Sequence, residues 1–557
     1  MDHKLPLTIA VAAAIAAAVP VRAQYAGDGV PDKVTVHGSV QSDILFPEED
    51  FKIGTGTYDD KILTNSYANA AIFSKYVDGG ARIEYLEHPL PGFEKPFAGW
   101  GLGNIYVKGK YRGMELTLGD IYEQFGAGFI LRTYEERSLG VDNSIRGARM
   151  KFNNVKGLRI TALGGIQRRF WDWSMSSKLA GADIEASLEN YFKGLRDRNI
   201  IWTFGASYVF KHEKDENIIV PGTNYRLNLP ENVHAWDVRT HFNRNAWDLS
   251  GEFAWKSSDP SADNRYTYPN GTAIMLSGSY AKKGLSALVQ VKRSENMAFR
   301  SKRSQKLTAG FINNMPAFAY QHTYALAAMY PYATQAAPGE WAFQAGLAYN
   351  FKRKTALGGK YGTRLNLNFS HIRGIKRDAP ELVNGSEFGT DGGKTHFFGT
   401  GPLYYQDINV QMEKRITSDF HLNAMYMFQK FNKTVIEGEG GMVNSHIAVL
   451  DAKYRFNKKL TLRGEFQYLA TKQDKGDWCF GLLELSVLPY LMFSVSDQWN
   501  CGETDIHYYM ASVTGNYRSN RLMVGYGRTR AGYNCSGGVC RYVPASRGFQ
   551  ISYNYSF

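Results

Sequence analysis

One segment of the chain is crowded with charged side chains that could select a solute. Residues 118–149 read LGDIYEQFGAGFILRTYEERSLGVDNSIRGAR and do not alternate cleanly between polar and apolar positions. The candidate constriction residues in it are Glu123, Arg132, Glu135, Glu136, Arg137, Asp142 and Arg146. Arginine and carboxylate groups paired across a narrow opening select solutes by charge and hydrogen bonding. Two interpretations stay open: segment 121–144 folds into a lumen, or it is a solvated outer loop with surface ion pairs.

A second segment is too aromatic and apolar for a bare loop. Residues 307–335 read LTAGFINNMPAFAYQHTYALAAMYPYATQ. One interpretation is an inward gate or a docking surface for a partner, with Gln321 and His322 as its polar contacts. The other, which we prefer, is two short extra strands packed on the rim of a larger sheet. His322 stands alone and is expected to be a hydrogen-bonded structural residue.

Motifs for catalysis or cofactor binding do not assemble in this sequence. Gly389 to Thr395 is close to a phosphate loop, but its spacing is wrong and no strand–loop–helix pattern surrounds it. His212 lacks the second histidine of a zinc helix, and no Gly-x-Ser-x-Gly elbow is present. We therefore expect no enzymatic activity, no cofactor and no metal, with a catalytic site at a barrel rim as the least favoured alternative.

The elements that would position these segments are β-strands. Residues 247–255 and 460–468 alternate apolar and polar side chains with a period of two, and such stretches recur along the chain. They approach the roughly 9–11 residues that span a bilayer when tilted. Full charges on the polar face would be hydrated by a lumen but could not be buried in a sandwich. We therefore predict a transmembrane β-barrel with an apolar exterior.

The last strand supports this class. It places Phe549, Ile551, Tyr553, Tyr555 and Phe557 on one face and ends on the terminal phenylalanine. Lipid would cover this aromatic face while the strand closes the barrel. We expect it to serve as the insertion signal that the barrel-assembly machinery contacts.

Connections between the strands alternate between short and long. The predicted short turns lie at 78–80, 112–113, 153–157, 244–245, 282–284, 417–419, 457–458, 489–490 and 519–520. The predicted long segments are 47–64, 89–102, 121–144, 213–231, 297–339, 373–401, 432–443 and 531–545. This pattern predicts an all-β, antiparallel, up-and-down barrel of about 24 strands, within a range of roughly 20 to 26, and an even count places both termini in the periplasm. Six tryptophans near strand ends fit interfacial girdles: Trp202, Trp247, Trp255, Trp341, Trp478 and Trp499.

The N-terminal end and the composition agree with export. Residues 1–23 are predicted to be a signal peptide, 24–33 a short periplasmic segment and 34–557 the outer-membrane barrel domain. A mean hydropathy of −0.36 is too low for a helical membrane protein. The net charge of +13 is spread along the chain, so we expect no nucleic-acid partner. Contact with anionic lipopolysaccharide, or an anion-attracting pore, suits an exported basic chain better.

The four cysteines are predicted to form two disulfides in an oxidising compartment. Cys535 and Cys540 flank a glycine-containing loop, CSGGVC. For Cys479 and Cys501, a three-residue turn centred on Tyr490 would make the two directly opposed in an antiparallel hairpin. A shifted register would leave them diagonal.

Three segments carry a resemblance to a known family. Residues 119–149, 315–335 (MPAFAYQHTYALAAMYPYATQ) and 535–549 (CSGGVCRYVPASRGF) resemble those of an uncharacterised family of Bacteroidota outer-membrane proteins. The resemblance implies an outer-membrane barrel along the mature chain and implies no substrate. It also carries a weaker association with the secretion of surface proteins.

Two functions therefore compete. The first is a pore or transporter for a small hydrophilic or amphipathic solute, with a loop-constricted lumen. The second is a non-conducting accessory barrel, whose lumen is plugged and whose loops bind partners in the secretion or assembly of surface proteins. Neither a TonB box near Gln24 nor a plug domain before the first strands is found, so a TonB-dependent transporter is not expected.

Overall fold

The structure, a computed structural model, describes residues 33–173, 177–536 and 539–557. The predicted signal peptide, residues 1–23, lies outside the described residues, as do residues 24–32 of the predicted periplasmic segment. Described helical turns are few and short: Lys95–Phe97, Leu188–Asn190, Lys193–Asp197, Ala262–Asn264 and Lys433–Ile436. No helix among the described residues is long and apolar enough to cross a membrane.

Nearly all of the regular structure is β-strand. The strands in chain order are β1 (Thr35–Pro47), β2 (Leu63–Phe73), β3 (Val77–Leu86), β4 (Gly99–Tyr111), β5 (Met114–Ile121), β6 (Glu135–Glu136), β7 (Val141–Asp142), β8 (Ile145–Phe152), β9 (Leu158–Gln167), β10 (Ser177–Ser187), β11 (Ile200–Glu213), β12 (Asn232–Arg244), β13 (Trp247–Lys256) and β14 (Gly271–Lys282). They continue with β15 (Leu285–Glu295), β16 (Gly339–Phe351), β17 (Thr363–Arg377), β18 (Thr395–Arg415), β19 (Phe420–Asn432), β20 (Met442–Arg455), β21 (Leu460–Ala470), β22 (Trp478–Val487), β23 (Leu491–Asn500), β24 (His507–Tyr517), β25 (Asn520–Thr529), β26 (Gly532–Ser536), β27 (Val539–Val543) and β28 (Ser546–Ser556).

A single sheet of 24 antiparallel strands closes on itself. Each strand pairs with the next one along the barrel, and β28 pairs with both β25 and β1. At the closing seam Ile551 lies opposite Ile44, and the Gly38 and Phe557 backbones exchange hydrogen bonds of 3.1 and 3.0 Å. The other four strands form the small hairpins β6–β7 and β26–β27. The predicted barrel of about 24 strands is confirmed.

Alternation along each strand separates two chemically different faces. On β12, Asp237 and Arg239 face inward, with Asp237 fully buried, whereas Val238 between them is 47% exposed. On β17, Leu367 and Phe369 are exposed while Ser370 is buried. The outward positions form an apolar surface suited to lipid, and the inward positions are polar and charged.

The connections follow the predicted alternation of short and long, but one predicted turn is misplaced and six connections were not predicted: those after β9, β10, β13, β16, β21 and β23. Short turns lie at the end of the barrel where β1 begins and β28 ends, and the longer loops lie at the other end. The turn predicted at 78–80 was wrong: residues 74–76 turn, while Asp78 lies in β3 and binds Lys110 at 2.6 Å. The connections 188–199 and 352–362 both lie at the short-turn end. They were not predicted, because neither begins with the cluster of Gly, Asn or Pro residues that marks a turn.

The cysteines are bonded at one of the two predicted places. Cys535 and Cys540 form a disulfide across the β26–β27 hairpin. Cys479 and Cys501 are thiols whose Sγ atoms lie 3.6 Å apart. The predicted register was wrong, because the turn is centred on Pro489 and places Cys479 opposite Trp499. A Cys479–Cys501 bridge stays a prediction.

Five of the six tryptophans in the predicted girdles are partly or fully exposed near strand ends. Trp478 is the exception and is only 2% exposed. It faces the lumen and packs there against Met and Tyr side chains, so its assignment to a girdle was wrong. Its position in the sequence does not reveal which face of β22 it occupies, because the alternation is weak there.

The two faces can be tested with arginine substitutions at adjacent positions. Leu367→Arg places a charge against the acyl chains and is expected to lower the free energy of unfolding by about 2–4 kcal/mol. Asn368→Arg, on the lumen side of the same strand, is the control; it loses one hydrogen bond of 3.0 Å to Asn409 and is expected to cost only about 1 kcal/mol. Urea unfolding from lipid vesicles measures both. If both variants lose the same free energy of unfolding, the outward face of β17 is not covered by lipid.

Candidate functional site

The two unusual segments of the sequence both fold into the lumen. The first is residues 122–144 and the second is residues 296–338; together we call them the plug. In the first, Phe125, Phe129, Ile130 and Leu131 are buried against the inward faces of β9 to β14. Wall residues in this cluster are Leu163, Leu179, Val209, Val233, Ala235, Ala254 and Ala273. Of the two interpretations of segment 121–144, the inward fold is the one that the structure shows.

The second plug loop fills the opposite side of the lumen. Phe318, Leu326, Ala327, Tyr330 and Tyr332 are buried against the inward faces of β16 to β22. The wall contributes Ala342, Ile372, Tyr404, Tyr405, Met425, Met427, Phe431, Val443, Ile447, Val449, Leu469 and Trp478. The preferred interpretation of two extra strands on the rim was wrong, because 296–338 contains no strand and lies inside the barrel.

The two plug loops are joined to each other by hydrogen bonds. The Arg132 backbone N–H donates to the Ile312 carbonyl at 2.8 Å. The Asn313 side-chain amide donates to the Phe129 carbonyl at 2.8 Å and to the Met297 carbonyl at 2.7 Å. Two segments that are more than 150 residues apart in the chain therefore form one body.

Polar side chains of the barrel wall satisfy the backbone of the plug. The Gln467 side chain accepts from the Leu326 N–H at 2.8 Å, and the Gln429 side chain donates to the Tyr330 carbonyl at 3.1 Å. On the other side, Glu252 accepts from the Ala127 N–H at 2.8 Å, and Lys256 donates to the Ala298 carbonyl at 2.7 Å. A buried backbone without strand partners needs such bonds, because an unpaired peptide group costs about 1–3 kcal/mol.

A buried ion network fixes the β6–β7 hairpin of the plug to the wall. Arg82 on β3 pairs with Asp142, with Glu135 at 2.8 Å and with Glu84 at 2.7 Å. Arg168, just after β9, pairs with Asp142 at 2.6 Å and with Glu84 at 2.7 Å. The pKa of Asp142 is lowered: burial raises it, but Arg168 and Arg82 together outweigh burial. The Asp142 carboxylate thus stays charged and bonded to both arginines.

The other predicted constriction residues also bind mostly to the wall. Glu123 pairs with Arg149 at 2.9 Å and with Lys151 at 2.7 Å, both on β8. Arg137 pairs with Glu135 and donates to Gln41 at 2.9 Å, with its guanidinium 4.3 Å from the centre of the Tyr67 ring.

The remaining three make local contacts. Arg132 stacks on Tyr134, Glu136 accepts from the Ser138 hydroxyl at 2.8 Å, and Arg146 binds Asp120 through two 2.9 Å hydrogen bonds. Four of the seven predicted residues therefore fasten the plug to the wall: Glu123, Glu135, Arg137 and Asp142.

The two predicted gate residues behave differently from each other. His322 binds the buried Asp407 carboxylate at 2.7 Å and is itself almost fully buried. This matches the structural role expected for it. Gln321, one position away, is exposed.

Several functional residues were missed because they lie within strands. Lys292 on β15 is fully buried, pairs with Glu340 at 2.9 Å and donates to the Thr334 hydroxyl at 3.0 Å. Lys211 on β11 is also fully buried and pairs with Asp259 at 2.9 Å. Both follow the period-two alternation, so their inward position could be read from the sequence, but their partners Thr334 and Asp259, in the connections after β15 and β13, could not.

Comparisons with known proteins show the family of this chain. Residues 2–557 match the model of DUF6029, a family of unknown function, and the chain belongs to that family. A comparison with curated proteins finds none that matches. The expected Bacteroidota origin stays a prediction.

Several solved structures are similar to this chain at low sequence identity. A ferric enterobactin receptor mutant from Pseudomonas aeruginosa is 11% identical, with a TM-score of 0.40, covering 94% of this chain and 80% of its own. OccD1 (OprD) is 10% identical, with a TM-score of 0.36 and coverages of 95% and 97%. The P pilus usher PapC is 8% identical, with a TM-score of 0.35 and coverages of 94% and 98%. At these identities the likeness concerns the fold alone.

Removing Arg82 tests the ion network. Arg82→Met leaves Glu135 without its wall partner and Asp142 with one arginine, and the loss of a buried partner is expected to cost about 3–5 kcal/mol. Urea unfolding from vesicles measures this, and trypsin cleavage after Arg132 and Arg137 reports release of the hairpin.

The matched control is Arg159→Met, which removes an exposed ion pair with Glu185. Its expected cost is about 0–1 kcal/mol. If both variants lose the same stability and trypsin cuts neither, the network does not hold the plug.

Proposed function

We propose that the barrel lies in the outer membrane with its short turns and both termini in the periplasm. The support is the apolar exterior, the closed sheet without edges and the position of the start of β1 beside the end of β28 at the short-turn end. The long loops then face the outside of the cell. This proposal has three further parts. The leader peptide is removed, charged loop residues contact lipopolysaccharide, and the assembly machinery recognises β28.

We propose further that the protein is a closed transporter for small hydrophilic or amphipathic solutes. One observation carries this: the lumen wall is charged and hydratable, it opens at the short-turn end into a cavity of about 780 Å³, and only loops of the same chain close it above. Loops held by hydrogen bonds to wall side chains can change between two arrangements. Transport therefore requires the plug to shift.

A non-conducting accessory barrel is the second candidate. The observation in its favour is the apolar packing of the plug, since both loops bury aromatic and aliphatic side chains against the wall. Such packing resembles a permanent core. In this case the loops at the outer end would bind a secretion or surface-protein partner. Under either candidate we propose no enzymatic activity and no cofactor.

Conductance in planar bilayers distinguishes the two candidates. Gln429→Ala with Gln467→Ala removes two wall anchors of the plug and is expected to raise the open fraction, while the native protein shows rare, brief openings. Gln344→Ala with Gln411→Ala is the matched control, because these inward glutamines make no hydrogen bond to the plug among the described residues.

Solute entry into proteoliposomes completes this test. Slow entry through the native protein and faster entry through the anchor variant support a transporter. If the native protein never opens and admits no solute while the anchor variant conducts, the plug is a permanent seal, and the accessory function is the correct one.

A further inference from the structure

The charges of the chain are divided between the two ends of the barrel. The eleven connections at the short-turn end hold 14 Lys and Arg residues against three acids. The basic residues are Lys75, Arg112, Lys156, Lys193, Arg196, Arg198, Lys283, Lys352, Arg353, Lys354, Lys360, Lys458, Lys459 and Arg518, and the acids are Glu189, Asp197 and Asp419. At the other end, the ten long connections outside the plug hold 23 acids against 14 Lys and Arg.

The largest group of these cations lies in one connection at this end. The connection 352–362 is long for this end and carries four cations, whereas most of its neighbours have two to five residues. It borders the cavity of about 780 Å³ on the inner face of β16 to β19. We call this cavity the vestibule. Its basic lining consists of Lys283, Lys352, Arg353, Arg364, Lys414 and Arg415.

Most of these cations have no acidic partner. Lys283, Lys352, Arg353 and Lys414 make no ion pair with any residue that the structure describes. Glu413 is the one acid in the lining, and its carboxylate already accepts a 3.1 Å hydrogen bond from Asn366. A cluster of uncompensated positive charge therefore faces an aqueous space.

The adjoining space does not neutralise this charge. A second cavity of about 680 Å³ shares His421 and Asn423 with the vestibule. Its acids Asp419 and Asp451 are held in ion pairs with Arg455 at 2.7 Å and with Arg463 at 3.0 Å. Glu484 and Lys453 also line this second cavity, so its three acids offset its three basic residues and it adds no net charge beside the vestibule.

We infer that the vestibule binds a small solute that carries several phosphate or carboxylate groups. Clefts lined by one sign of charge focus the field and concentrate ligands of the opposite sign. Guanidinium and ammonium groups are the donors that proteins use for phosphate and carboxylate. A concave space of this volume suits a small molecule. The inference names the class of solute for the proposed transporter. It rests on that proposed function for the claim that the bound solute is transported, but the claim that the vestibule binds such a solute stands without it.

Calorimetry on the full-length protein in detergent tests the site with two probes, inorganic pyrophosphate and citrate, at low salt. The native protein is expected to bind at least one of them, with an affinity that falls as NaCl is raised. The triple variant Lys283→Gln, Lys352→Gln, Arg353→Gln is expected to bind it at least tenfold more weakly. Pyrophosphate alone would identify a phosphate site, citrate alone a carboxylate site, and both a general site for multivalent anions.

The matched control is Lys156→Gln, Lys193→Gln, Arg518→Gln, which removes the same charges from the same end of the barrel but outside the vestibule. Its affinity is expected to stay within twofold of the native value. Absence of binding by the native protein, or equal weakening in both variants, would overturn the inference. Calorimetry measures binding without requiring transport. If the protein binds anions but never conducts, the proposed transport function is wrong and the proposed anion site is still supported.

Discussion

Hydrogen bonding of the charged inner wall is the constraint on which this structure depends. A sheet of 24 strands encloses a lumen too wide for its own side chains to fill. Charged groups such as Arg82 and Lys292 must then meet water or protein, because burying them without partners is prohibitively costly. Two loops supply the partners, and the wall in turn satisfies the backbone of those loops. Neither part is stable in this arrangement without the other.

This mutual dependence explains why the plug combines apolar packing with ion pairs. Aromatic and aliphatic side chains of both loops contact patches of the wall where Ala, Val and Met replace the usual polar residues, as at Ala254 and Met427. The β6–β7 hairpin instead contacts arginines. Below the plug the wall returns to uncompensated charge, and the lumen is open. The barrel thus has a closed part, where ion pairs and plug contacts compensate the wall charges, and an open, basic part, where the proposed vestibule lies.

The sequence reveals the barrel more fully than the plug. Alternation such as that at 247–255 and the short turns predict strands, faces and number, because strand periodicity is local information. The sequence does not decide whether 121–144 folds inward or forms an outer loop, and it does not predict that 296–338 lies inside the barrel. Both depend on contacts across the lumen, for example Leu326 with Gln467, that no local pattern encodes. The predicted partner of Cys479 was wrong for a smaller reason. Shifting the centre of one turn by a single residue changes every residue pair in the hairpin.

Hydrogen–deuterium exchange on the protein in lipid nanodiscs tests the central claim most directly. The amides of residues 125–131, 312–319 and 326–332 are expected to exchange as slowly as those of the barrel strands, because these stretches are mostly buried in the lumen and several are bonded to wall side chains. Residues 214–231, a long connection at the outer end, serve as the internal reference for a loop. If both plug segments exchanged as fast as this reference, the lumen would be filled with water, and the wall would not be satisfied by the chain itself.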